Sequence, residues 1–132
     1  MPKFLNSPTV GIDVSADFSF VAILAPNGDI YKKAFRINHD VTGFNYLFEQ
    51  IKKVEEEFNT KTAIFMESTG VYHLSLFHFL NKNFDNTFVI NPLVTKCNKN
   101  GDIRKVKNDK KDSLSIAKIG KYQEIKLSQG VS

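Results

Sequence analysis

The chain has 132 residues, 42% of them hydrophobic, with twelve Phe and a formal net charge of +4. That is the size of one ordinary domain, with enough apolar material for a real core. The lone Cys97 excludes an internal disulfide and a CxxC zinc site, no apolar run nears the roughly 20 residues of a membrane span, and "MPKFLNSPTV" lacks the apolar core of a signal peptide, so a soluble cytoplasmic protein with no membrane partner is expected.

In chain order, "TVGIDVS" (Thr9 to Ser15) and "FSFVAILAP" (Phe18 to Pro26) are short, apolar and β-prone, and "PNGD" (Pro26 to Asp29) is a hairpin turn into "IYKKAFRI". These predict an antiparallel meander. Val41, Phe44, Leu47, Phe48, Ile51, Val54 and Phe58 then recur at spacings of three and four, with "KKVEEE" on the other face, which predicts an amphipathic helix capped by Asn38 or Asp40. "TAIFMES" (Thr62 to Ser68) reads as a buried strand, "VYHLSLFHFLNKNF" as a helix and "NTFVINP" as a strand ended by Pro92. From Leu93 onward the pattern is helical in two pieces around "NKNGD".

The order β-β-β-α-β-α-β-α predicts an α/β fold: a mixed five-stranded sheet of the ribonuclease H type, flanked by helices, whose helix-linked strands are parallel and covered on both faces. A Rossmann-type sheet would need a helix directly after the first strand and a glycine-rich phosphate turn, and GxGxxG is absent.

Asp13 lies inside the apolar strand "VGIDVS", and Glu67 ends the equally apolar "AIFME". A charge in a core strand is costly unless it is paired or binds a metal. In a ribonuclease H sheet these strands are parallel neighbours, which brings the two carboxylates close together, and a divalent cation relieves their repulsion. Asp109 and Asp112, three apart on a predicted helix, share a face that could complete a four-carboxylate site. Oxygen-only ligands suit Mg²⁺ or Mn²⁺, and two such ions about 3.5–4 Å apart serve phosphodiester displacement. The segment "RKVKNDKKDSL" surrounds the second pair with Arg104, Lys105, Lys107, Lys110 and Lys111, candidate contacts for a DNA or RNA backbone. From Lys96 to Ser132 ten Lys or Arg face four acids, whereas the first 95 residues carry eight against ten, so the basic character is concentrated at this end. A solvated lysine-rich surface is the bland alternative.

"GIDVS", "MESTGVY" and "KNDKKDSLSIAKIG" together resemble, in order, the three signature blocks of the DEDD insertion-sequence transposases related to the Piv and MooV invertases, the insertion-sequence family numbered one hundred and ten. The resemblance implies a RuvC-like amino-terminal domain of ribonuclease H fold that cuts and rejoins DNA. It also implies metal-binding and catalytic roles for Asp13, Glu67, Asp109 and Asp112, with Mg²⁺ or Mn²⁺ as cofactor. Asn108 and Ser113 depart from the Thr and Ala common in the third block and leave both acids in place. DNA is the implied partner, some members use a guide RNA, and a full-length protein is expected to be a homo-oligomer.

Members of that family continue into a second domain with a catalytic serine, whereas this chain ends at "KLSQGVS". Residues 1–132 are therefore expected to be the RuvC-like domain alone, a fragment inactive by itself, and Ser113, Ser115 and Ser128 are not assigned the nucleophile's role. Two other functions compete: a nucleic-acid-binding or assembly module with vestigial acids, and an actin-like or sugar-kinase ATP-binding lobe in which the "GIDVS" hairpin cradles phosphate. Among the other residues, His73 and His78 are five apart and do not form a metal pair, and His39 is read as a turn residue. Ser68 to Gly70 are read as the cap of a helix starting near Val71. Tyr72 is read as either a core residue or a nucleic-acid contact. Phe44, Phe48, Phe77, Phe79 and Phe84 are core by periodicity, and Cys97 is incidental.

Overall fold

The computed structural model describes residues 4–67, 72–90 and 109–122, with the backbone alone for 109–112. Five strands form one mixed sheet in the order β3-β2-β1-β4-β5: β1 Thr9–Val14, β2 Phe18–Leu24, β3 Ile30–Asn38, β4 Ala63–Glu67 and β5 Asn86–Ile90. The first three strands form the antiparallel meander, while β4 and β5 each follow a helix and run parallel to β1. The described helices are α1 (Val41–Phe58), α2 (Leu74–Asn83) and α3 (Asp109–Tyr122).

Strand alternation sorts the sheet into two faces. Val10, Ile12 and Val14 of β1, with Ile64 and Met66 of β4, bury against Leu47, Ile51 and Val54 of α1 and Leu76, Phe77 and Leu80 of α2. Phe44, Phe48 and Phe79 close the edge of this layer half-buried, and Phe84 is fully inside. On the opposite face Ala63, Phe65, Phe88 and Ile90 meet Ile116 and Ile119 of α3, with Phe4 packed edge-on against Phe65 at 5.7 Å. Both faces are thus covered, as helix-linked parallel strands require.

Local chemistry sets the ends of α1. Asp40 is its N-cap, accepting the Gly43 amide at 2.7 Å, and Asn59 closes it in the left-handed conformation with φ 50°, its N–H donating to the Glu55 carbonyl. Val41 departs from the apolar stripe: at the first helical position it is 74% exposed. Helix α2 begins at Leu74 rather than near Val71, with the His73 carbonyl accepting the first helical hydrogen bond from Phe77 at 2.7 Å. Ser68 to Val71, assigned to that cap and start, lie outside the described residues, as do Leu93 to Asn108 with Cys97 and the first of the two helical pieces. Tyr72 is 51% exposed, which removes the core alternative. His39 sits at the bend after β3 as expected, with Nε2 2.7 Å from the buried Ser19 hydroxyl.

Helix α3 is fastened at its C-terminal end. Lys121 is 1% exposed, and its ammonium donates to the half-buried Ser7 carbonyl at 2.7 Å, so the buried charge keeps a hydrogen-bond partner. Tyr122 lies over the β2–β3 turn, where Gly28 has φ +97° and a side chain would strike the Tyr122 hydroxyl. Burial holds the Lys121 ammonium below its ordinary pKa of 10.5. A lysine with a depressed folded-state pKa binds fewer protons folded than unfolded between that value and 10.5, so stability rises with pH through this window. Urea midpoints measured from neutral pH up to 10.5 should rise for the wild type relative to Lys121→Met; parallel curves would contradict the burial of a titrating charge.

Candidate metal and nucleic-acid site

Asp13 and Glu67 are register partners across the parallel β1–β4 pair, at the end where both strands stop. Register partners point to the same face, and for this pair it is the α3 face, because Gly11 and Phe65, two residues earlier on each strand, touch α3. Both acids are half-buried, and each already has a further interaction within the fold. Carboxylates on adjacent strands have Cβ atoms only about 5 Å apart, a distance at which like charges repel in a partly desolvated setting.

The approach of α3 is set by glycine. A Cβ on Gly11 would collide with the Ser113 carbonyl oxygen and the Ala117 amide nitrogen, and would stand 3.0 Å from the Ala117 Cα. Gly120 likewise lies directly against the Phe65 ring, and the Thr9 hydroxyl donates to the Ala117 carbonyl at 3.2 Å. Ser113 therefore sits over Gly11 and Ala117 near Thr9, so α3 runs antiparallel to β1. Going back from Ser113 to Asp109 climbs about 6 Å along the helix, and going on from Gly11 to Asp13 climbs about 6.6 Å along the strand. The first turn of α3, which carries Asp109, Lys110, Lys111 and Asp112, is thereby brought level with Asp13 and Glu67.

The backbone therefore puts Asp13 and Glu67 at the sheet end toward which the first turn of α3, bearing Asp109, Lys110, Lys111 and Asp112, extends. Arg104, Lys105 and Lys107 lie outside the described residues. Among the described side chains no group of three or more His, Cys, Asp or Glu is close enough to hold a metal ion; the side chains of Asp109 and Asp112 are not among them. The Ser15 amide at the β1–β2 turn is spent on the Phe18 carbonyl at 2.9 Å, and the depression lined by Ala25, Asn27, Asp29 and Phe58 lies at the other end of β2. Gly11 is the site residue that sequence patterning passed over: its place two residues before a strand acid was the available signal, but a glycine in a strand does not say what approaches it.

A family model described as transposase, the IS110-type DEDD group, matches residues 10–130. The chain belongs to this transposase family. Its fold is similar to RuvC of Thermus thermophilus in complex with Holliday junction substrate, at 9% identity with a TM-score of 0.56, covering 84% of this chain and 90% of that one. A second Thermus thermophilus RuvC structure aligns at 11% identity with a TM-score of 0.52, covering 83% and 90%. No individually curated protein matches the chain. The fold is therefore ribonuclease H-like, and the transposase chain is a DNA-cutting catalytic domain by family. Among the described residues no helix is long and apolar enough to cross a membrane.

Because Gly11 sets the height of α3 above β1, Gly11→Ala should cost about 1–3 kcal/mol, the usual penalty for overpacking a dense contact. Urea denaturation would register it. Wild-type stability in that variant would mean that α3 does not rest on Gly11.

Proposed function

We propose that residues 1–132 act as the RuvC-like catalytic domain of the transposase, with Asp13, Glu67, Asp109 and Asp112 as its catalytic acids and as ligands for Mg²⁺ or Mn²⁺. The observation that carries this reading is the register pairing of Asp13 with Glu67 on the face where α3 docks. The donor set fits a hard divalent ion: it is all oxygen and anionic, with Asp13 and Glu67 half-buried at the strand ends and Asp109 and Asp112 carried on the first turn of α3. Bound there, the metal would supply Lewis-acid stabilisation of charge on phosphodiester oxygens.

The chain's own part is to hold the acids and bring DNA to them. A backbone ladder fixes Asp13 and Glu67 as register partners, so the spacing of their Cα atoms does not depend on side-chain packing. Lys110 and Lys111, on the turn that carries Asp109 and Asp112, and Arg104, Lys105 and Lys107 just ahead of it are the proposed phosphate contacts. Ten basic residues in the last 37 favour a polyanion through counterion release. RuvC, whose fold this chain shares, has been captured with a Holliday junction, which supports branched DNA as the substrate to try first. Strand transfer in the family reading also involves a serine-bearing domain, so the domain alone is proposed to bind metal and DNA without completing transfer.

Titrating Mn²⁺ should raise the melting temperature of the wild type, while Asp13→Asn and Glu67→Gln should abolish most of the shift. Equal shifts in wild type and both variants would refute a shared site. Salt-dependent binding of branched DNA that survives all four acid-to-amide changes, with no metal-induced shift in the wild type, would instead assign the chain to a binding module.

A further inference from the structure

The register pairs that join Asp13 to Glu67 continue in both directions. Phe20 of β2 is the partner of Asp13, and Arg36 of β3 is the partner of Phe20. Arg36, Phe20, Asp13 and Glu67 therefore form one transverse row on one face of the sheet, with Arg36 two strand spacings, about 10 Å, from Asp13. Phe18, two residues before Phe20, shares that face, and the two rings meet edge to face at 5.6 Å and 87°. The Arg36 guanidinium lies over the Phe18 ring, 4.2 Å from its centroid.

Among the described residues, the course of α3 leaves this part of the face only partly covered. Its C-terminal end crosses toward the β2–β3 turn, with Tyr122 against Gly28, whereas its Ser113–Ala117 turn rests on Gly11 of β1. At the acid end of β2 and β3 it leaves Phe18 and Phe20 half-buried and Arg36 exposed. Two aromatic rings on the wet side of a sheet are costly surface, and among the described residues no carboxylate neutralises Arg36. Stacking on Phe18 holds the guanidinium flat and keeps its five donors available.

We infer that Phe20, with Arg36 held by Phe18, is a seat for an unpaired DNA nucleotide beside the acid row, the base stacking on Phe20 and Arg36 holding the neighbouring phosphate. The inference rests on the catalytic reading above for the identity of the strand. Every base has a flat π face, so an aromatic platform beside a cation suits a single strand without regard to sequence. A paired base cannot offer that face, so the seat selects DNA opened next to the site of cutting. Such a contact would position the strand across the sheet, from β3 toward β1.

The test measures binding of a mixed-sequence single-stranded oligodeoxynucleotide, its duplex and the same-sequence RNA in EDTA by fluorescence anisotropy. Phe20→Leu should weaken single-strand binding roughly 5- to 100-fold, the worth of one stacked base, and leave duplex binding unchanged. Arg36→Gln should reduce the slope of log affinity against log salt by about 0.7, with Arg36→Lys retaining it. In the wild type, 2-aminopurine placed along the oligonucleotide should be quenched on binding, a readout that does not depend on any variant folding. Absence of quenching at every position, wild-type affinity in Phe20→Leu with an intact circular dichroism spectrum, or a larger loss for RNA than for DNA would overturn the seat. Because no metal is present, failure here is separable from failure of the Mn²⁺ test, which bears on the acids alone.

Discussion

The contact between a helix backbone and a strand glycine governs this molecule. With only hydrogen at the Gly11 Cα, the Ser113–Ala117 turn of α3 settles onto β1 at a distance no side chain would allow, and Gly120 does the same against Phe65. The Thr9 hydroxyl, the Lys121 ammonium and the Tyr122 ring then fix the helix along its length. A helix held at side-chain distance could slide or rotate; one seated on backbone has little room to do either. The geometry of everything on that face, including the turn bearing Asp109 and Asp112, follows from it.

The second constraint is register. A parallel ladder between β1 and β4 makes Asp13 and Glu67 neighbours through main-chain hydrogen bonds, and a slip of one residue would send one acid into the apolar layer under α1 and α2. Val10, Ile12 and Val14 on one strand and Ile64 and Met66 on the other make that slip prohibitive. The core therefore does more than stabilise the sheet. It forces two like charges to the same place, an arrangement that makes chemical sense for a cation site.

Much of this was legible in the sequence, because the relevant signals are local. Short, β-prone apolar runs marked the strands, the spacing of three and four marked α1, and Asp13 and Glu67 stood out as charges where the pattern demanded apolar residues. Family blocks were legible for the same reason, as short contiguous motifs. The start of α2 and the exposure of Val41 were misread because helix ends depend on which carbonyl takes the first bond, which periodicity does not reveal. The burial of Lys121, the seating of α3 on Gly11 and the alignment of Arg36 with Phe20 and Asp13 were not legible, since each depends on pairing between distant segments. A lysine stem looks solvated, and a strand glycine looks weak, until the partner that fits them is in place.

The row of acids also has a timetable. Asp13 must wait for the whole β2–β3–α1 segment before β4 arrives to pair with it, and the first turn of α3 comes later still, after β5. Contacts so far apart in sequence form late, after the loops between them have been closed against their entropy. A growing or partly folded chain can display its meander and its helices without ever assembling the four carboxylates. On the proposed reading of these acids, a metal site would be a property of the completed fold and not of any partly folded chain.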